Sequence, residues 1–500
     1  MEENRNPIPE EPPKVPFVAR GAEFLFGGVI LLLAILLCNF VLYGGFHLAF
    51  GLVGAAAIGC SWLYLHKAGV RLGRYEKTLL ILSLVICLGF GRSHDGFVKF
   101  VMLLFLFVAV NLAFCIGAGQ NRRSPDTATS LLDAPRTFFK LGMGSMGKTA
   151  GGLAEGVRSG GEPVRRIGAV GTGLLISAPV LMLMVTLLMN ADAAFEGLMD
   201  LLPEFELREY LYSAIWGFFL GWILYSRGVS LARADRPVPA FRSSKGMNPM
   251  TVNTVLIMVC LVYVVYLLSQ LAYFAGGLSG ILPEGYTLSE YARRGFFEMA
   301  VICTINLFVI SLAVGLTRKE EVSPLSTRLL CLFIGIITLF LTVASSAKMV
   351  MYIGSYGLTR LRVLTQVIIL FMALATIFVC IWLFARKMPY MKAIVLTALL
   401  LGSIVVWADV DTVVACYNVR AYQAGILETV DMDHLADLSD GAIPYIAELT
   451  QDADEIVARR AKAILSTREH RNTELESDDF RAWNIADAIA DPYTAPYKEK

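Results

Sequence analysis

Charge is scarce in this sequence. Asp, Glu, Lys and Arg make up 17% of 500 residues, against 56% hydrophobic residues and a mean hydropathy of +0.61, which is more apolar surface than a soluble chain of this length can hide. Neither sign dominates. With 43 Lys and Arg against 42 Asp and Glu, no overall field draws the chain to nucleic acid. Paired cysteines are also missing. Eight of the nine (Cys38, Cys60, Cys87, Cys115, Cys260, Cys303, Cys331, Cys380) stand singly in apolar runs and Cys416 sits at the root of the C-terminal tail, which excludes a disulfide-stapled domain and a C-x-x-C metal site. The five histidines are scattered, H-E-x-x-H and G-x-S-x-G are absent, and Ser93-His94-Asp95 are chain neighbours whose side chains cannot converge as a triad. The sequence therefore leads us to expect no catalytic residue, no cofactor and no metal.

What the chain does have is long apolar runs. A bilayer core about 30 Å thick takes roughly 20 helical residues, because backbone polar groups in lipid must be satisfied within the segment. Eleven runs meet or approach this: 24–43, 46–65, 78–91, 98–118, 169–189, 210–226, 252–273, 296–316, 329–350, 364–384 and 393–413. The third is short, and charge decides its status. With it counted and the N-terminus inside, inner segments carry 26 Lys and Arg and outer loops 8. Without it, the eight-charge loop at 119–167 would fall outside, against the bias these residues impose on insertion. Lys77 and Arg92 are expected to snorkel at its ends. The expected fold is thus all-α, a polytopic transmembrane bundle of about eleven spans, N-terminus in and C-terminus out. Its parts are a cytoplasmic tail (1–20) read as uncleaved, spans one to four (21–118), a basic Gly-rich cytoplasmic loop (119–167), spans five to eleven (168–413), and a small extracytoplasmic helical module (414–500).

Several segments invite sharper readings. Leu131–Lys140 (LLDAPRTFFK) has the pattern of a stretch lying on anionic headgroups, so the bilayer and an anionic lipid at the inner loop are expected partners. Residues 190–209 place Phe195, Leu198 and Leu202 on one side of an interfacial helix. Amphipathic helices are expected at Asp431–Leu438, Ala442–Leu449, Asp454–Leu465 and Asp478–Ala490, a module with an acidic surface open to an envelope protein partner. Gly142–Thr149 (GMGSMGKT) satisfies the phosphate-loop expression but lacks the strand and the helix N-terminus that give it meaning, so a chance match is expected. Three D-x-D triplets (Asp409-Asp411, Asp431-Asp433, Asp452-Asp454) read more simply as helix caps than as metal ligands.

The most suggestive constellation faces outward. Lys348, Tyr352 and Tyr356 recur every fourth residue, Arg360 and Arg362 follow Gly357, and Arg293, Arg294 and Glu298 enter the eighth span. Asp409 and Asp411 leave the eleventh. These eight residues (Arg293, Arg294, Glu298, Lys348, Tyr352, Tyr356, Arg360, Arg362) are the candidate ligand site, with an aromatic and basic interfacial belt as the simpler reading.

Tyr291-Ala-Arg-Arg-Gly-Phe-Phe-Glu298, Tyr352-x-x-x-Tyr356-Gly-Leu-Thr-x-x-Arg362, Tyr417-Asn-Val and the late Asp479-Phe-Arg-Ala-Trp-Asn484 resemble the bacterial multi-pass family catalogued as domain of unknown function 4173. After Asn484 the chain departs from that pattern, with Ile485, Ala486 and Asp487 where arginines stand. The resemblance implies a bacterial cell-membrane protein and supplies no catalytic residue. The expected role is a non-enzymatic envelope component that binds or senses an anionic ligand or a partner protein on its outer face. A transporter of a small solute or lipid-linked molecule is the alternative, and an envelope enzyme using Asp409 and Asp411 ranks third. Asn39, Asn111, Gln270, Asn306 and Gln366 serve as interhelical glue in the first reading.

Overall fold

The computed structural model describes residues 17–160, 207–234, 247–278, 296–316, 325–474 and 483–497, with isolated helical residues at 180, 184, 187 and 188. Among the described residues the chain forms helices and no β-strand. The longer ones are α1 (Gly21–Asn39), α2 (Leu48–Lys67), α3 (Arg74–Gly89), α4 (Gly96–Gly117), α5 (Met146–Ser159), α6 (Leu207–Ala232), α7 (Pro249–Leu278), α8 (Phe296–Leu316), α9 (Leu325–Tyr356), α10 (Arg360–Phe384), α11 (Tyr390–Ala408) and α12 (Val410–Gln423). The tail adds α13 (Met432–Ala436), α14 (Ile443–Glu448), α15 (Glu455–Glu474) and α16 (Ile485–Thr494).

Eight of these helices are long and apolar enough to cross a membrane: α1, α2, α4, α6, α7, α9, α10 and α11. Within α8, residues Met299–Val314 form a shorter apolar stretch, and α3 has 16 residues, about 24 Å of helix. Apart from 180, 184, 187 and 188, residues 169–189 lie outside the described residues, as do residues 190–206 of the interfacial segment expected at 190–209. Aliphatic side chains such as Leu25, Leu32, Val262 and Val343 stay exposed on these helices, as lipid-facing positions require.

Two compact units form, one from residues 1–43, 56–71 and 135–235, the other from residues 44–55, 72–134 and 236–500. In the first, α1 lies along α6. Gly217 and Gly221, spaced four apart on α6, face α1 so closely that a Cβ on Gly217 would stand 2.3 Å from the Ile35 Cα, and one on Gly221 3.0 Å from the Leu31 Cα. Small residues at this spacing let two backbones meet in lipid, where no hydrophobic force drives helices together. Asn39 donates to the Ser213 hydroxyl (3.1 Å), Arg233 pairs with Glu23 (2.8 Å), and Phe26 stacks on Tyr64.

The phosphate-loop look-alike belongs to this unit. It is helical: a π-turn (Thr137–Gly142) and a 3-10 turn (Met143–Ser145) run into α5, and no strand delivers the glycines. Thr149 donates to the Ser145 and Met146 carbonyls and shares a 2.8 Å hydrogen bond with Ser226. Further along, Gly152 and Gly156 press on Phe17 and Ala19, and the Ala19 N–H donates to the Gly152 carbonyl. Helix packing accounts for the glycine richness here.

In the second unit α9 packs on α8, α7 and α10, and α3 packs on α4 and α11. Polar side chains join the spans: the Tyr263 hydroxyl donates to Asn306, which donates to Thr338 (2.9 Å), and Ser346 donates to Gln366 (3.0 Å). Asn111 donates along its own helix to the Phe107 carbonyl, and the Gln270 side chain is outside the described residues. Two tail helices start at the caps expected from the sequence, while the last, expected at Asp478–Ala490, is described as Ile485–Thr494 with Asn484 as its cap. Asp431 accepts from the His434 N–H, Asp454 from Ile456 and Asn484 from Ala486. Leu435, Leu438, Ile443, Ile446, Leu449 and Leu465 are buried in a shared core of the module.

Candidate functional site

Residues of the outward constellation are brought together in part. α9 does continue as helix to Tyr356, so Lys348, Tyr352 and Tyr356 form one stripe, with Lys348 half-buried and the tyrosine rings 5.0 Å apart. Gly357 follows with φ +71°, a left-handed turn open to glycine, and its N–H closes the helix on the Ile353 carbonyl. Arg362 reaches back over the Tyr352 ring at 4.1 Å and donates to the Tyr356 and Gly357 carbonyls, satisfying groups that the end of α9 leaves open. Thr359 caps α10, and Asn418 holds Leu358 by both its N–H and its C=O. The motif Tyr356-Gly-Leu-Thr-x-x-Arg362, with Asn418, thus builds a tight turn between two helices. Arg362→Ala should lower stability by about 1 kcal/mol through the lost carbonyl bonds, read as a small drop in thermal midpoint of the detergent-purified protein. Arg293 and Arg294 lie outside the described residues, and Glu298 is placed only as part of α8.

Arg360 turns toward the tail. Its Nε and Nη2 clasp Asp411 (Nη2 to Oδ2, 2.7 Å), and Nη2 also donates to the Asp437 carbonyl at 3.0 Å. Asp411 is 1% exposed and further accepts from the Ser439 N–H at 2.8 Å. Burial alone would raise its carboxyl, but Arg360 and Ser439 outweigh burial and hold it below the usual carboxylate range. Asp409, two residues away, is pushed the other way. It is wholly buried, its Oδ2 accepts from Thr412 (2.7 Å), its Oδ1 has no hydrogen-bond partner, and burial raises its carboxyl. Its φ of +52° is, among the described residues, the one left-handed backbone outside glycine, a conformation costing about 1 kcal/mol or more. The triplet therefore caps α12 with one carboxylate and anchors Arg360 with the other.

Beside Arg360 and Asp411 a cavity of about 530 Å³ opens between the tail helices and the starts of α4 and α10. Asp95, Asp411, Asp437 and Asp440 line it, against Arg360 and Arg468, with His94 at its edge. Arg468 is buried and fixed by Asp440 (3.2 Å) and the Ala436 and Leu438 carbonyls. The three residues of Ser93-His94-Asp95 go separate ways: Asp95 caps α4 through the Val98 N–H, Ser93 Oγ accepts from the Asp95 N–H, and His94 Nε2 meets Asp487 Oδ1 at 2.7 Å. The Trp-Asn segment completes the join, since Ile485 N–H donates to the Gly91 carbonyl (2.8 Å) and Asn484 to the Ser93 carbonyl. Reading the sequence misses His94, Asp440, Arg468 and Asp487, because no spacing relates residues this far apart.

Apolar helices of this number and length define a multi-pass integral membrane protein. A family model described as domain of unknown function (DUF4153) matches residues 27–449, and the chain belongs to that family. Membership of a family of unknown function agrees with the resemblance, while the number that matches is 4153 where the motifs resembled 4173. No curated protein and no solved structure matches the chain.

Proposed function

We propose that this protein is a non-enzymatic membrane component whose C-terminal helical module covers a ligand site on the outer face. The observation that carries the reading is the polar cavity. Its lining sets four carboxylates against two guanidiniums, and both arginines of the sequence motif are committed, Arg360 to Asp411 and Arg362 to the end of α9. A ligand presenting positive charge fits such a lining better than the anion expected from the sequence. Asp437 is exposed at the rim and engaged through its backbone carbonyl, so Asp437→Arg changes the charge of the site without touching the core. In a strain lacking the gene, this variant should reach normal membrane levels and still show the deletion phenotype; full complementation would refute the ligand role.

Eleven spans with the N-terminus inside remain our reading of the topology, supported by the excess of inner Lys and Arg. Glu455, exposed at the start of α15, reports on it. In a cysteine-free background Glu455→Cys should react with an impermeant maleimide in intact cells. Labelling only after lysis would place the module on the other side.

A further inference from the structure

We propose that His94, Asp440 and Asp487 bind a divalent transition-metal ion of the zinc or manganese class, with His47 as a fourth ligand. The inference rests on the cavity being a ligand site and names what occupies its edge. Three different elements supply the donors: the turn before α4, the 3-10 turn Asp440–Ala442, and α16. One donor atom from each of the three lies within 4.8 Å of the others. Tetrahedral ligands at about 2.1 Å from a metal stand about 3.4 Å apart, so the closest pair, His94 Nε2 and Asp487 Oδ1 at 2.7 Å, has to open by about 0.7 Å and no pair has to close by more than about 1.4 Å.

A second observation points to an absent partner at the same place. The His47 ring lies 6.0 Å from that of His94, and its Nδ1 is shut off from solvent without a hydrogen-bond partner. Two imidazoles with two carboxylates make a donor set for a transition ion; Mg²⁺ and Ca²⁺ prefer oxygen alone. Arg468 is the competing cation. It donates to Oδ1 of Asp440 at 3.2 Å and is itself tied to the Ala436 and Leu438 carbonyls, so it orients that carboxylate. Lys99 also acts on Asp487 from α4, and a bound dication would have to outweigh it. The adjoining cavity gives a water or a ligand group access to the remaining coordination position.

Full-length protein purified in detergent, loaded with Zn²⁺ or Mn²⁺ and dialysed, should retain about one equivalent of metal by elemental analysis. His94→Ala and Asp487→Asn should lose it, His47→Ala should bind at least tenfold more weakly, and His66→Ala, on the exposed end of α2, should keep it. Because a variant could fail to fold, the wild-type protein supplies an independent readout: stripping with a chelator should lower its thermal midpoint, and Zn²⁺ or Mn²⁺ should restore it. Absence of retained metal together with no chelator effect would overturn the proposal, as would equal retention in wild type and His94→Ala. Either result with Asp437→Arg still inactive would leave the cavity as a ligand site and remove only the metal.

Discussion

Asp411→Ala should release the C-terminal module from the helices that carry it. One carboxylate receives two bonds from Arg360 and one from the Ser439 N–H, and its removal strands a guanidinium and a buried donor together. Breaking a fully buried ion pair costs about 3–5 kcal/mol, and because the Arg360 side chain is 41% exposed, water recovers part of that, leaving an expected loss of about 2 kcal/mol. The tail should then be cut by protease at concentrations that spare wild type, while the membrane helices stay resistant. Asp411→Asn should fall between the two. Acid should act in the same direction. The folded carboxyl sits below the usual carboxylate value, so its contribution is complete at neutral pH and is lost as pH falls through and below about 4. Asp487, which burial would raise but His94 holds down, has the same sign, so α16 should loosen in the same window. A tail equally resistant in Asp411→Ala and wild type would show that apolar packing alone holds the module.

Gly217→Leu should be the most damaging single change in the first unit. The nearest atoms to its absent Cβ are the Cα and N of Ile35, at 2.3 and 2.7 Å, and backbone cannot swing aside as a side chain would. Separating α1 from α6 also pulls Asn39 from Ser213 and Arg233 from Glu23, so the loss is expected at about 3 kcal/mol or more. Fluorescence-detected size exclusion should show aggregate in place of a single peak. Gly28→Leu is the matching control, since no atom lies within 4 Å of a Cβ built there and the position is exposed on α1. If both variants elute as wild type, close approach of α1 and α6 does not matter for assembly.

Hydrophobic runs made most of the helices legible in the sequence, because a lipid-facing segment must be apolar all round and cannot hide that in a pattern. Tail helices were legible through their caps: Asp431 and Asp454 do accept from the N–H groups their positions imply. α15 runs on to Glu474, past the expected end at Leu465, since Ser466 and Thr467 are no barrier to a helix already packed through Ala461 and Leu465. The arginines of the outward motif gave a different lesson. Spacing placed Arg360 and Arg362 on the right turn, but spacing has no information about Asp411 or about carbonyls at a helix end, which take up their hydrogen bonds. The histidine and carboxylate cluster was invisible for a related reason. His47 and His94 each precede a helix as isolated loop residues, and Asp440 and Asp487 sit among many tail carboxylates, so only the closed fold makes neighbours of them.

Docking of α16 onto the turn at Gly91–His94 has a consequence for the order of assembly. His94 waits for a partner 393 positions downstream, so during synthesis every apolar helix is made before that turn can be covered. Until α16 leaves the ribosome, the Gly91 and Ser93 carbonyls and the His94 ring lack the partners that this segment brings. That contact therefore forms only after the spans beneath it have been made, which ties it to a late step of assembly.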